Sequence, residues 1–117
     1  MRLVKRIADW NELRYEQEFD RVLTVKLLIE EIAEFVSATE EVDELDALVD
    51  ITYVAIGAMW KMGLNVEQIH AAIHAVCDSN DSKDAVKTHA SIKANIVKGA
   101  NFFRPEPRLQ EILNERA

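Results

Sequence analysis

Two apolar stretches separated by a three-residue polar break constrain this chain more than any other feature. Val22, Val25, Ile29, Ile32 and Val36 recur at intervals of three and four, the spacing that lines up one face of an α-helix. Leu45, Leu48, Val49, Thr52, Ile56 and Met59 mark a buried side further along. Between them, Thr39-Glu40-Glu41 is short and polar, as a tight helix–helix connection requires. The pattern predicts one helix over about 20–38, a second over about 42–62, and an antiparallel pair made from the two.

The rest of the chain predicts shorter helices. Asp9 and Glu12 have capping-box spacing, so a first helix is expected to start near Asp9, with Trp10, Leu13 and Phe19 supplying apolar contacts. Gly63 suits a left-handed position at the end of the second long helix. Asn65 then caps another helix, with Gln68 three residues on and Ile69, Ile73 and Val76 as its stripe. The pattern weakens after Asn80, and 95–105 reads as an extended loop or short hairpin. Pro107 can start a last short helix through Leu109, Ile112 and Leu113. Only three glycines and two prolines interrupt the chain. The expectation is one all-α domain over 1–117, with four to five helices in a bundle-like fold around a central antiparallel pair. A helical chain of this length has a thin core, so pairing with a copy of itself is expected to complete it.

Charge narrows the function classes. Lys and Arg total 14 against 21 Asp and Glu, a formal net charge of −7. Such a chain is a poor nucleic-acid binder. No run approaches the roughly 20 apolar residues of a spanning helix, and no signal peptide is visible. With Cys77 as its one cysteine, the chain is expected in a reducing, cytoplasmic setting.

The acids are not spread evenly. Glu30, Glu31 and Glu34 fall on the first long helix; Asp43, Glu44, Asp46 and Asp50 fall on the second. Residues three or four apart share a helix face. Folding the hairpin about Glu40 sets Glu34 opposite Asp46 and Glu31 opposite about Asp50. Four carboxylates on one seam repel unless a cation joins them, and Mg²⁺ takes oxygen ligands while leaving positions for water and phosphate. The plain alternative is a solvated acidic face. Against it, Ile29, Ile32, Ala33, Phe35 and Val36 interleave with the glutamates, and Leu45, Leu48, Val49 and Ile51 flank the aspartates. His70, His74 and Cys77 also share a face, but no fourth zinc ligand is obvious.

The sequence resembles a known superfamily in four places. Glu30-Glu31-Ile32-Ala33-Glu34 matches the EExxE motif of the all-alpha nucleoside triphosphate pyrophosphohydrolases, which include MazG proteins, dimeric dUTPases and phosphoribosyl-ATP pyrophosphohydrolase. Residues 43–54 resemble the subgroup pattern E-L-x-D-x-L-x-D-x-x-Y-V. Ser79-Asn80-Asp81-Ser82-Lys83 resembles SNxSK, and Lys98-Gly99-Ala100-Asn101-Phe102 with Pro105 resembles KGxNF…P. The second motif departs from the ExxD pattern: Asp43 stands for Glu in one register, and Ala47 in the other. Cys77 stands where relatives often have His.

The resemblance implies hydrolysis of a nucleoside triphosphate, with deoxynucleotides among the substrates, to monophosphate and pyrophosphate. Water would attack the α-phosphorus. It implies Mg²⁺, replaceable by Mn²⁺, held by Glu31, Glu34, Asp46 and Asp50, with Asp43 a further ligand. Glu30 would complete a second metal site or orient the water. Asn80, Lys83, Lys98 and Asn101 would contact substrate. It also implies a homodimer or a pair of dimers. The competing expectation is a non-enzymatic helical dimer that binds or regulates on the same scaffold.

Overall fold

The computed structural model describes residues 2–85, 96–97 and 99–117. Among these described residues five helices follow one another: α1 (Arg2–Glu12), α2 (Arg21–Ser37), α3 (Glu41–Lys61), α4 (Val66–Asp81) and α5 (Glu106–Asn114). Two-residue strands β1 (Asp84–Ala85) and β2 (Ile96–Val97) lie between α4 and α5 and pair antiparallel, Asp84 with Val97 and Ala85 with Ile96. The fold is all-α, as the periodicity predicts. The chain divides into two compact units, residues 1–69 with 116–117, and residues 70–115.

In the first unit, α2 and α3 form the antiparallel hairpin. Asp20 caps α2, its side chain accepting from the Leu23 backbone N–H at 3.0 Å. Glu40 is the N-cap of α3. The core is drawn mainly from α1 and α3: Val4, Ile7 and Ala8 against Ala47, Ile56 and Trp60, with Leu64 and Ile69 beyond. Gln17 Nε2 donates to the Trp60 carbonyl at 2.8 Å, tying the α1–α2 loop to the end of α3.

Three terminal devices match their expected chemistry. Asn65 and Gln68 form a reciprocal capping box, with bonds of 2.9 and 2.8 Å. Gly63 carries φ of +95° directly after the α3 C-cap, Met62. A side chain there would be strained. Gly63→Ala is expected to destabilise the protein by about 1–2 kcal/mol, read from chemical denaturation midpoints. Pro107 falls in the first turn of α5.

Two expectations are corrected. Helix α1 begins at Arg2, not near Asp9. Its apolar stripe, Val4, Ile7 and Ala8, precedes Asp9, and Asp9 accepts an exposed i,i+4 ion pair from Lys5 at 2.6 Å instead of capping a start. Leu13 lies past the helix end and is exposed. The buried side of α3 is also different. Ala47, Ile56, Gly57 and Trp60 are buried, whereas Leu45, Leu48 and Val49 are exposed, Leu45 at 63%. Helix α2 buries no residue. Val22 is 79% exposed and Val36 77%, with Val25, Ile29 and Ile32 between them also exposed. Apolar spacing found the helices, but it does not specify which stripe is buried or what covers the others.

In the second unit, Ser79 is buried and donates through Oγ to the Phe103 carbonyl at 2.8 Å. Ser82 Oγ accepts from the Phe103 N–H at 3.1 Å and donates to the Ser79 carbonyl at 2.6 Å. Ile112 of α5 is buried. Among the described residues, no single helix is long and apolar enough to cross a membrane.

Candidate active site

Two stripes face each other along the hairpin. On α2 they are Thr24, Leu27, Glu31 and Glu34; on α3, Asp50, Val54, Gly57 and Lys61. Each set repeats at three and four residues, so each runs straight down one helix face. Near the turn these stripes bring together the carboxylates of Glu31, Glu34 and Asp50, each offering an oxygen within 4.8 Å of the others. Among the described residues this is the one such group of three potential metal ligands.

Glu31 is the most constrained of them. Its Oε2 is shut off from solvent with no hydrogen-bond partner. Burial, then the like charges of Glu34 and Asp50, hold its carboxyl above the ordinary carboxylate range. An enclosed, unpaired carboxylate oxygen between two further acids calls for a cation. Two ligands of Mg²⁺, bonded at 2.0–2.1 Å, stand at most about 4.2 Å apart. The three oxygens lie within 4.8 Å of one another, close to that limit. The donor set is all oxygen, which fits Mg²⁺ or Mn²⁺ and not a thiolate-preferring metal.

Other expected residues are placed differently. Asp46 and Asp43 lie on the turn side of Glu34 and line an open depression with it, together with Ser37, Ala38 and Thr39. Neither joins the close trio. Glu30 is exposed on α2. In the second unit, Asn80 and Lys83 meet directly, Lys83 Nζ donating to Asn80 Oδ1 at 3.1 Å. The same Nζ is 5.9 Å from the centroid of the Phe102 ring, next to the exposed Asn101. The two downstream motif segments are thus stitched together through Ser79, Ser82 and Phe103. Lys98 lies outside the described residues. His70 and His74 meet edge-on with ring centroids 4.4 Å apart, and Cys77 is exposed.

The model of one protein family, described as phosphoribosyl-ATP pyrophosphohydrolase, matches residues 3–76. The chain belongs to this family. That stretch contains both acidic helices and covers more than half of the chain. No curated protein and no solved structure gives a match. Membership of the phosphoribosyl-ATP pyrophosphohydrolase family places the chain in the MazG-like all-alpha superfamily. It makes the protein a nucleotide pyrophosphohydrolase, a hydrolase acting on phosphoric anhydride bonds. The non-enzymatic alternative falls with that. The downstream segments 79–83 and 98–102 lie beyond the family match.

Sequence reasoning passed over one part of this hairpin. One turn further from the loop, Trp10 and Asn11 of α1 line a cavity with Tyr53 and Gly57 of α3. The available signal was Asn11 itself, an amide standing in the apolar stripe of Val4, Ile7 and Ala8.

Proposed function

We propose that this protein hydrolyses nucleoside triphosphates, deoxynucleotides among them, to the monophosphate and pyrophosphate, with Mg²⁺ as cofactor and Mn²⁺ able to replace it. The observation that carries the reading is the convergence of Glu31, Glu34 and Asp50 around an enclosed oxygen without a partner. A divalent cation there supplies charge neutralisation of the phosphates and a more acidic water. Glu31, Glu34 and Asp50 hold it, with Asp46 and Asp43 extending the ligand set toward the turn. Glu30 orients the attacking water or serves a second ion. Water adds to the α-phosphorus, the bond to the bridging oxygen breaks, and pyrophosphate departs. The side chains contribute by fixing positions and offsetting charge. Asn80, Lys83, Lys98 and Asn101 contact phosphate or sugar. In this reading the whole of 1–117 is one catalytic domain working in the cytoplasm.

The test is pyrophosphate release. Each common nucleoside triphosphate, each deoxynucleotide and phosphoribosyl-ATP is incubated with Mg²⁺, Mn²⁺ or chelator. The expected result is pyrophosphate from a triphosphate with either metal and none with chelator, with loss of about 10²–10³-fold or more in kcat for Glu34→Ala. Activity indifferent to both chelator and Glu34→Ala sinks the proposal.

The exposed stripes support a homodimer, alone or paired into a larger assembly. Val22, Val25, Ile29, Ile32 and Val36 keep a strict three-four alternation, the pattern of a helix seam. Val42, Leu45 and Val49 continue it on α3, all exposed. A contiguous apolar face of this kind marks an interaction surface. A second copy offers the same face and satisfies both at once.

A further inference from the structure

One helical turn, about 5.4 Å, separates the acids from a cavity of about 190 Å³ between α1, α2 and α3. Leu27 stands four residues before Glu31 and Val54 four after Asp50, so the cavity continues the same two stripes. Three aromatic side chains, Trp10, Tyr15 and Tyr53, share its wall. Trp10 meets Tyr53 edge-on with centroids 5.4 Å apart, and Tyr15 at 5.9 Å. Lys61, also in the lining, holds its Nζ 4.3 Å from the centre of the Tyr15 ring.

Among the polar groups of this wall Asn11 is the buried one, only 3% exposed. Its Nδ2 donates to the Ile7 carbonyl at 2.8 Å. The second amide hydrogen and Oδ1 remain, and no described residue pairs with them. These atoms belong to a residue that lines the cavity and are not sealed off from it, so a ligand there can take up their hydrogen-bonding capacity. Gly57 makes the placement possible. A methyl group on Gly57 would stand 3.0 Å from both Nδ2 and Oδ1 of Asn11.

We propose that this cavity receives the base of the nucleotide, with Asn11 reading its hydrogen-bonding edge and Trp10, Tyr15 and Tyr53 contacting its ring. The inference rests on the acids being the triphosphate site. Pockets for whole ligands run to about 300–1,000 Å³. The cavity is smaller than that, suited to a single ring system whose sugar and phosphates lie outside. An apolar guest would leave the Asn11 amide unpaired, whereas every nucleobase presents a donor beside an acceptor. Amide-to-base pairing with aromatic contact is the usual way proteins read an isolated base.

The test follows nucleoside binding without metal and without turnover. Adenosine, guanosine, cytidine and uridine are titrated separately into the whole protein. NMR reports the Trp10 indole N–H and the Asn11 side-chain amide. The expected result is that both signals move, with a preference of about tenfold or more for one base over the weakest. Asn11→Ala and Gly57→Ala are each expected to remove that preference while the helical circular dichroism is retained. No movement at either signal with any nucleoside overturns the proposal. So does equal affinity for all four, or a preference that survives both substitutions. The wild-type titration needs no variant to fold. A chain that cleaves triphosphates but ignores nucleosides sinks only the base pocket; one that binds nucleosides but never releases pyrophosphate sinks only the hydrolysis.

Discussion

Glu31→Gln is expected to stabilise the metal-free protein at neutral pH and to inactivate the enzyme. The two effects have one cause. The Glu31 carboxyl is held above its ordinary range by burial and by Glu34 and Asp50, so the folded chain binds its proton more tightly than the unfolded chain does. A raised carboxyl contributes stability that is fully present below the unfolded value of about 4.3 and is lost as pH rises through the folded value. Glutamine imitates the protonated acid at every pH. The variant's advantage in melting temperature should therefore be small in acid and grow as pH rises toward 8. Adding Mg²⁺ should reverse the order, because the ion stabilises only a chain that binds it. Activity should fall by about 10²–10³-fold or more. Thermal melts at several pH values, with and without Mg²⁺, read the first effect; pyrophosphate release reads the second. A variant that melts below the wild type without metal at pH 8 would contradict this account of the site.

How much of this site was legible in the sequence differs from residue to residue. Glu31, Glu34 and Asp50 could be paired on paper because the hairpin has one short turn, and equal counting from it sets helix faces opposite each other. The same counting placed Asp46 beside Glu34, and the structure puts it there at the depression, one step from the trio. The caps were legible too, since Asn65 and Gln68 carry their chemistry locally. The start of α1 was not, because an acid four residues after a lysine mimics a cap when it is only an ion pair. Nor was the inner face of α3. Ala47 and Gly57 make that face by being small, and a search for large apolar residues finds the outer face instead. The cavity at Asn11 depends on α1 arriving from elsewhere in the chain, which no local pattern encodes.

The second large effect is expected from the outer face. Ile29→Glu combined with Ile32→Glu should convert the assembled protein to a monomer. Both residues are exposed in the single chain, so the substitution costs the lone fold little. Across a symmetric contact every substitution acts twice. Each large aliphatic side chain removed from burial forfeits about 1.5–3 kcal/mol, and paired charges would then face each other in a dry interface. Light scattering after gel filtration measures the mass. Wild type at monomer mass, or a double variant still at the wild-type mass, would remove the support for pairing through this face.

Helix α2, which buries none of its own residues, carries a consequence for variation in the chain. Surface helices normally tolerate exchange, because little depends on any one position. Here one long side is reserved for a neighbouring molecule and the opposite side for the acids and the cavity below them. Few sites, such as Lys26 and Ala33, are left outside both. A helix with no buried residue of its own would then be among the least permissive of those described, and a map of tolerated substitutions would run against a map of solvent accessibility.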